Sequence, residues 1–379
     1  MIPYILVLIF SIIISSFAEK NFKVGNKKRG IIYLIFLVIL LSLFAGLRTT
    51  DLGFDTGKYV MTTYRLLNSG KTLSYLLNNY TSMEKGFLIY MYSLYNINPD
   101  INFILIFLNV PVNLCFVIFM YHYKDKVSMM LMTIVYYCTL YAFSFNIVRQ
   151  SIALSIFLLV LVFLDKKNYF ISILLFLLGT LFHSSMILAF LTIFIILLSD
   201  NKKLKSSNKT IILLLLVALT LFFLIFYDKI IMLAYHIGLI GSRYLNYLNE
   251  NSKDYRSSID IEYSLLFLKL SIIIFYMIYN NLKTIPSKIK DENKKWVTML
   301  FIDLIVSILS FKLRNTDRIS WYMYYPAVFL LAPQLGCIIV KSKRGINVGN
   351  IIVMMVFILY LLEKLITNQY GICPYTWVL

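Results

Sequence analysis

The chain has 379 residues, of which 60% are hydrophobic and only 14% are charged. A soluble protein of this size would carry nearly twice that share of charge, so the composition excludes a water-exposed globule. The formal net charge is +18, but the basic residues are scattered through short connectors rather than gathered in a basic tail. We therefore attribute the charge to orientation in a membrane and expect no nucleic-acid partner.

Long apolar runs, broken by short polar connectors, account for most of the chain. A membrane-spanning helix needs about 20 apolar residues, so each run is interpreted as one crossing. This predicts an all-α polytopic membrane protein with about 12 transmembrane helices, forming a single integral membrane domain over residues 1–379. The predicted helices lie at 2–18, 31–47, 102–121, 128–147, 149–164, 169–183, 184–198, 210–227, 263–281, 296–312, 319–336 and 348–363.

The lysine-rich connectors predict the topology. By the positive-inside rule they face the cytoplasm. Consecutive cytoplasmic connectors must be separated by an even number of crossings, and this holds only if both termini are outside and the segment 86–97 does not cross. That segment has 12 residues, which reach about 18 Å as a helix and cannot span the bilayer. We expect it to be re-entrant or interfacial, and we expect outer loops at about 48–101 and 228–262.

The arginines are distributed differently from the lysines. Most lysines fall on the predicted inner side, whereas seven of the nine arginines fall on the outer side. The planar guanidinium suits phosphate or carboxylate recognition, so a shared outer anion site is one interpretation. The alternative is that terminal arginines only anchor helices at lipid headgroups. Four of them lie at predicted outer helix ends: Arg48, Arg149, Arg314 and Arg318.

Two polar segments carry candidate proton-transfer groups. The turn FHSS lies between two short apolar arms and should be recessed below the outer surface, where His183 could exchange protons; alternatively, Ser184 or Ser185 caps the returning helix. The segment 46–59 holds Asp55, a candidate general base. In the same segment, Asp51 could instead simply pair with Arg48.

One further pair of charged residues and several missing motifs limit the kinds of reaction that the protein could catalyse. Lys269 and Asp303 fall deep inside neighbouring predicted helices, and a mutual ion pair is the expected arrangement. The sequence has no Walker loop, HExxH, Rossmann glycine pattern or GxSxG, so we expect no cofactor. The predicted outer loops have no DxD motif, so we expect arginines rather than a metal ion to stabilise phosphate charge.

Several segments in a fixed order resemble the EpsG-like group of Wzy-type polysaccharide polymerases. That family shows an LR...D..Y segment, an E-G-F segment, an R-Q-x-I-A helix start and an F-H-x-S turn at similar separations. The resemblance covers residues 46–190 well, and the C-terminal half agrees only in outline. The matching segments are GLRTTDLGFDTGKY (46–59), MEKGF (83–87), FNIVRQSIALSI (145–156) and LFHSSMIL (181–188).

The resemblance implies a GT-C-like membrane glycosyltransferase acting on the outer face of the bacterial cytoplasmic membrane. It would join polyprenyl-diphosphate-linked oligosaccharide repeat units, both donor and acceptor, to make O-antigen, capsule or exopolysaccharide. Membrane lipids and a chain-length regulator protein are further implied partners. The alternatives are a lipid-linked oligosaccharide flippase or other transporter, or a related ligase or acyltransferase.

The resemblance also implies roles for individual residues. His183 or Asp55 would be the catalytic base. The other matched residues would bind the diphosphate or the sugars. Arg243 and Arg318, in the C-terminal half, match the family's motifs less closely. The expected diphosphate-binding residues are Arg149, Arg48, Arg318 and Arg314, and the expected substrate-binding residues are Arg243, Tyr244 and Glu84.

Overall fold

The structure is a computed structural model that describes residues 1–80, 83–201, 204, 212, 222, 226–237, 263–281, 287–309, 317–336 and 348–377. In these residues it contains helices and loops, with a single antiparallel bridge between Arg48 and Trp377. The chain divides into two compact units, Met1–Ile187 with Val328–Leu379 and Leu188–Ala327. The four segments that carry the resemblance fall in the first unit, apart from Leu188.

The helices are numbered here in chain order. They are α1 Ile2–Lys23, α2 Lys27–Gly46, α3 Met61–Asn68, α4 Leu73–Asn79, α5 Lys85–Ile97, α6 Ile101–Tyr123, α7 Met129–Tyr136, α8 Val148–Asp165, α9 Tyr169–Phe182, α10 Ala189–Asp200, α11 Tyr227–His236, α12 Tyr263–Asn281, α13 Ser287–Leu309, α14 Asp317–Gly336 and α15 Val348–Ile366. Short π-helical turns cover Thr56–Val60 and Tyr137–Tyr141, and a 3-10 turn covers Ser184–Leu188.

Every predicted apolar run except 210–227, most of which lies outside the described residues, coincides with a helix. In the part of the chain that the structure describes, five helices are long and apolar enough to cross a membrane by length and composition: α1, α2, α6, α8 and α15. The helices of the other runs are shorter or less apolar. In the described residues, an all-helical architecture with five candidate membrane-spanning helices is therefore confirmed, while the total of 12 crossings and the GT-C-like fold stay predictions.

Helix α8 lies at the centre of the first unit. It packs against α6 on one side and α9 on another, while α2 packs between α1 and α6. Of its 18-residue apolar window, 83% is buried, compared with 33% for α1. The first turn of α8, which carries Arg149, is therefore held by helices on several sides.

The predicted outer segment 48–101 is largely helical. Helices α3, α4 and α5 form one hydrophobic cluster with α6 and the start of α8, and the apolar face of α5 contributes Phe87, Leu88, Met91 and Leu94. Helix α5 has 13 residues, too few to span a bilayer. This length agrees with the prediction that segment 86–97 does not cross, which stays a prediction because no membrane is present.

The residues after α15 fold back onto the end of α2. The amide of Thr49 donates to the Thr376 carbonyl at 3.0 Å, and the Tyr375 ring stacks on Phe44 with centroids 4.3 Å apart. The Tyr4 hydroxyl donates to a carbonyl of the same C-terminal segment at 2.7 Å. This segment has no helical periodicity, so the sequence pattern gave no indication of the contact.

The buried ion pair expected in the second unit is confirmed. Lys269 Nζ of α12 lies 2.8 Å from Asp303 Oδ2 of α13 and 2.7 Å from Ser307 Oγ. The Tyr324 ring, 4.7 Å from the ammonium, covers it further. A paired and hydrogen-bonded ammonium is the arrangement that makes a buried lysine tolerable.

Candidate functional site

Arg48, just beyond the end of α2, is fully buried. All three nitrogens of its guanidinium donate to protein acceptors: to the Ala45 carbonyl, to the Leu52 carbonyl at 3.4 Å and to Thr56 Oγ1 at 3.0 Å. The guanidinium carbon also lies 4.4 Å from the centre of the Phe145 ring. Burial lowers the pKa of Arg48 to about 10, so the side chain remains charged at neutral pH.

These contacts change the interpretation of Arg48. Among the described residues it forms no ion pair, so the alternative in which Asp51 pairs with Arg48 is wrong. A guanidinium whose three nitrogens all donate to nearby protein oxygens holds the chain in place. The geometry therefore favours a scaffolding role for Arg48 over the predicted contact with a diphosphate.

A group of short contacts joins the segment 46–59 to the segment before α8. Gly53 has φ +86°, and a Cβ at this position would overlap the carbonyl oxygen of Phe145. The amide of Phe54 donates to Asn146 Oδ1 at 2.8 Å, and Thr56 Oγ1 lies 3.4 Å from the Phe145 carbonyl. The glycine is needed both for its left-handed backbone and for this close approach.

These contacts between segment 46–59 and the residues before α8 also position Asp55 and Tyr59. Asp55 is partly exposed and directly precedes the π-helical turn Thr56–Val60. Tyr59 lies in that turn, and its ring centre is 3.8 Å from the guanidinium carbon of Arg149. A cation–π contact of this kind fixes the plane of an arginine side chain.

Arg149 is the second residue of α8 and is only 3% exposed. Its Nη1 lies 2.5 Å from Glu84 Oε2, while its Nε is buried and has no hydrogen-bond partner among the residues that the structure describes. Helix α8 starts after Ile147, whose side chain cannot cap it. The positive end of the helix dipole thus adds to the charge of Arg149.

Glu84 connects Arg149 to the FHSS turn. Its other carboxylate oxygen, Oε1, accepts from the Ser184 amide at 3.4 Å. This approach depends on Gly86, because a Cβ there would lie 2.6 Å from the Leu181 carbonyl at the end of α9. The small residue in the MEKGF segment therefore lets the start of α5 lie directly against the end of α9.

His183 ends α9 in an extended backbone conformation. Its Nδ1 lies 2.7 Å from Ser185 Oγ and accepts from the Ser185 amide at 3.2 Å. Gln150, next to Arg149 and 2% exposed, donates from Nε2 to the same Ser185 hydroxyl at 3.3 Å. The predicted turn is confirmed, but Ser185 binds the imidazole, and the following α-helix begins only at Ala189.

The structure thus brings Glu84, Arg149 and the FHSS turn with His183 into one hydrogen-bonded network. Asp55 stands four residues before Tyr59, whose ring covers Arg149. Sequence reasoning missed Tyr59 and Gln150, and it offered Ser185 only as a helix cap, although each stands in a segment that it had singled out. Arg243, Tyr244 and Arg314 lie outside the described residues. Arg318 is in the first turn of α14, and its side chain also lies outside them.

The described residues contain no group of three His, Cys, Asp or Glu side chains that could hold a metal ion. The Arg149 network in this part of the chain instead contains one guanidinium, one carboxylate bound to it and one imidazole. The expectation that the reaction needs no metal stays a prediction.

The fold and the site define a helical membrane protein with a buried polar site built around an arginine. A family model described as the EpsG family matches residues 31–377, so the chain belongs to that family, which comprises Wzy-like polysaccharide polymerases. The resemblance inferred from residues 46–190 is confirmed and extends over nearly the whole chain. No curated protein and no solved structure matches it.

Proposed function

We propose that this protein polymerises polyprenyl-diphosphate-linked oligosaccharide repeat units on the outer face of the bacterial cytoplasmic membrane, without a metal ion. Family membership supports a polysaccharide polymerase. The observation that carries the finer proposal is the convergence of four distant segments, 46–59, 83–87, 145–156 and 181–188, on the start of α8. Each segment contributes a side chain or a backbone contact to the Arg149 network.

Arg149 would stabilise the departing diphosphate. When the bond between the anomeric carbon and the phosphate oxygen breaks, its electron pair stays on the diphosphate, whose charge must be balanced. Glu84 and Tyr59 hold the guanidinium in one orientation, and its buried Nε lacks a described partner. A prearranged donor beside an uncapped helix start suits a phosphate oxygen.

The acceptor hydroxyl must lose a proton as it attacks the anomeric carbon. Asp55 and His183 are the candidate bases. Asp55 stands four residues before Tyr59, whose ring covers Arg149, and His183 is followed by Ser184, whose amide binds Glu84. In-line attack by the hydroxyl as the diphosphate departs would invert the configuration at that carbon. Arg314 and Arg318 would add to diphosphate binding, and Arg243 and Tyr244 would contact the sugars.

Reconstitution of the purified protein in liposomes tests this proposal. The substrate is the lipid-linked repeat unit extracted from a strain of the source organism that lacks this protein. We expect a ladder of products differing by one repeat unit, and we expect it to persist in EDTA. Loss of the ladder in EDTA with rescue by Mg²⁺ or Mn²⁺ would contradict metal independence. Movement of the unit across the bilayer without elongation would replace the polymerase by a transporter.

A further inference from the structure

The guanidinium of Arg149 is only partly occupied by its carboxylate partner. Glu84 Oε2 contacts Nη1, at a distance of 2.5 Å. Nε is buried and has no hydrogen-bond partner among the described residues, and its N–H points to the side of the planar fork that lies away from Nη1. An anion can therefore bind at the Nε edge while Glu84 stays on Nη1.

Glu84 is held in this place by a second contact. Its other oxygen, Oε1, accepts from the Ser184 amide at 3.4 Å. The close approach at Gly86 keeps the start of α5, directly after Glu84, against the end of α9. The carboxylate is thus held from two sides, and a further anion on Arg149 would bind beside it.

Two negative groups on one guanidinium repel each other over a short distance. Hydrogen-bond lengths and the dimensions of the fork place their oxygens within about 8 Å of each other. Water screens this repulsion little, because the side chain of Arg149 is 4% exposed and that of Glu84 is 16% exposed. Glu84 therefore orients Arg149 and also lowers its affinity for a further anion.

The proposed reaction raises the charge of the group that Arg149 must finally release. In the donor, the phosphate next to the sugar is a diester with one negative charge. Transfer breaks the bond from the anomeric carbon to the phosphate oxygen, which keeps the electron pair, while the proton of the acceptor hydroxyl goes to the base. The terminal phosphate of the product carries about 1.5 to 2 negative charges at pH 7. An arginine therefore binds the product more tightly than the donor.

We propose that Glu84 is a positioning residue that lowers the affinity of Arg149 for the released polyprenyl diphosphate, so that the product leaves after each transfer. This inference rests on the proposed polymerase function. A polymerase repeats the transfer many times, and a site that kept its product would stop after one addition. In this role Glu84 acts through Arg149, whereas the family resemblance implied direct contact with the substrate.

Binding of farnesyl diphosphate, a short and soluble analogue of the product, tests the proposal without any elongation. Glu84→Gln keeps the size of the side chain and one acceptor oxygen but removes the charge. We expect its dissociation constant, measured by calorimetry in detergent, to fall at least about tenfold below that of the wild-type protein. Glu84→Asp keeps the charge and should bind much like the wild-type protein. The matched control is Asp51→Asn, which removes an exposed carboxylate of segment 46–59 and should leave binding unchanged.

Unchanged or weaker binding by Glu84→Gln, or equal tightening in Glu84→Asp, would overturn the proposal. Glu84→Ala also removes the charge and replaces Glu84→Gln if that variant does not unfold cooperatively; it too should bind more tightly than the wild-type protein. The absence of binding by all of these proteins would equally overturn it.

Elongation separates this inference from the function on which it rests. In the ladder assay, farnesyl diphosphate should inhibit Glu84→Gln at an at least about tenfold lower concentration than the wild-type protein. Equal inhibition of the two proteins would contradict the role of Glu84 in product release. Failure of the wild-type protein to elongate would instead refute the polymerase function.

Discussion

Arg48 and Arg149 are both buried arginines, but their surroundings assign them different tasks. Arg48 has every guanidinium nitrogen bonded to a carbonyl or hydroxyl oxygen of its own neighbourhood. Arg149 has one carboxylate partner, an aromatic ring against its face and a buried Nε without a described partner. The first arrangement stabilises a turn, and the second resembles an anion site.

The variant Arg149→Lys tests the binding role at residue scale. Lysine keeps the charge but loses the planar fork that Glu84 and Tyr59 orient, so we expect polymerisation to fall by at least about 10²-fold at an unchanged protein level. The matched control is Arg65→Lys, because Arg65 is exposed on α3 and should tolerate the change. The activities of both variants are measured from the product ladders that equal amounts of protein form. Normal ladders from Arg149→Lys would exclude its role in holding the diphosphate.

The variant Arg48→Met tests the scaffolding role. It leaves the Ala45 and Leu52 carbonyls without their donor, and each buried unsatisfied group costs about 1–3 kcal/mol. We expect a lower thermal unfolding temperature in detergent, while Arg65→Met unfolds like the wild-type protein. If Arg48→Met retained full stability and lost only activity, the original prediction that Arg48 binds the diphosphate would be restored.

At the scale of elements, the contact between α5 and the end of α9 determines whether Glu84 reaches both Arg149 and the FHSS turn. The variant Gly86→Ala places a Cβ 2.6 Å from the Leu181 carbonyl, so one helix must move. We expect lower activity and a lower unfolding temperature. Gly57→Ala is the control for stability, since a Cβ there meets no atom within 4 Å. Equal stability of the two variants would show that the close approach is unimportant.

The helices were largely predictable because their apolar runs are long, and a long run of apolar residues has few alternatives to a helix. The polar segments that form the site were also recognisable, since Arg149 and His183 interrupt apolar surroundings and Glu84 stands in a segment that carries the family resemblance. Their partners were not predictable: the Gln150–Ser185 bond joins residues 35 positions apart, and the bond from Tyr4 to the C-terminal segment joins residues 368 positions apart. Such pairings depend on tertiary packing.

At the scale of the whole molecule, the proposal requires the site to face outward. Single cysteines in a cysteine-free background test this with an impermeant thiol reagent on intact cells or spheroplasts. We expect Ser69→Cys and Asn98→Cys to be labelled, because the segment between them does not cross, and Lys27→Cys and Lys203→Cys to be labelled only after permeabilisation. Labelling of Lys203→Cys in intact cells, or opposite results for Ser69→Cys and Asn98→Cys, would contradict the topology.

We propose above that the Arg149 network elongates lipid-linked oligosaccharides. The most direct measurement is the product ladder formed in EDTA by purified wild-type protein and Arg149→Lys, each reconstituted with the same extracted lipid-linked repeat unit. We expect an extended ladder from the wild-type protein and almost exclusively single repeat units from Arg149→Lys. Ladders of equal length from both proteins, or no elongation by either one, would contradict it.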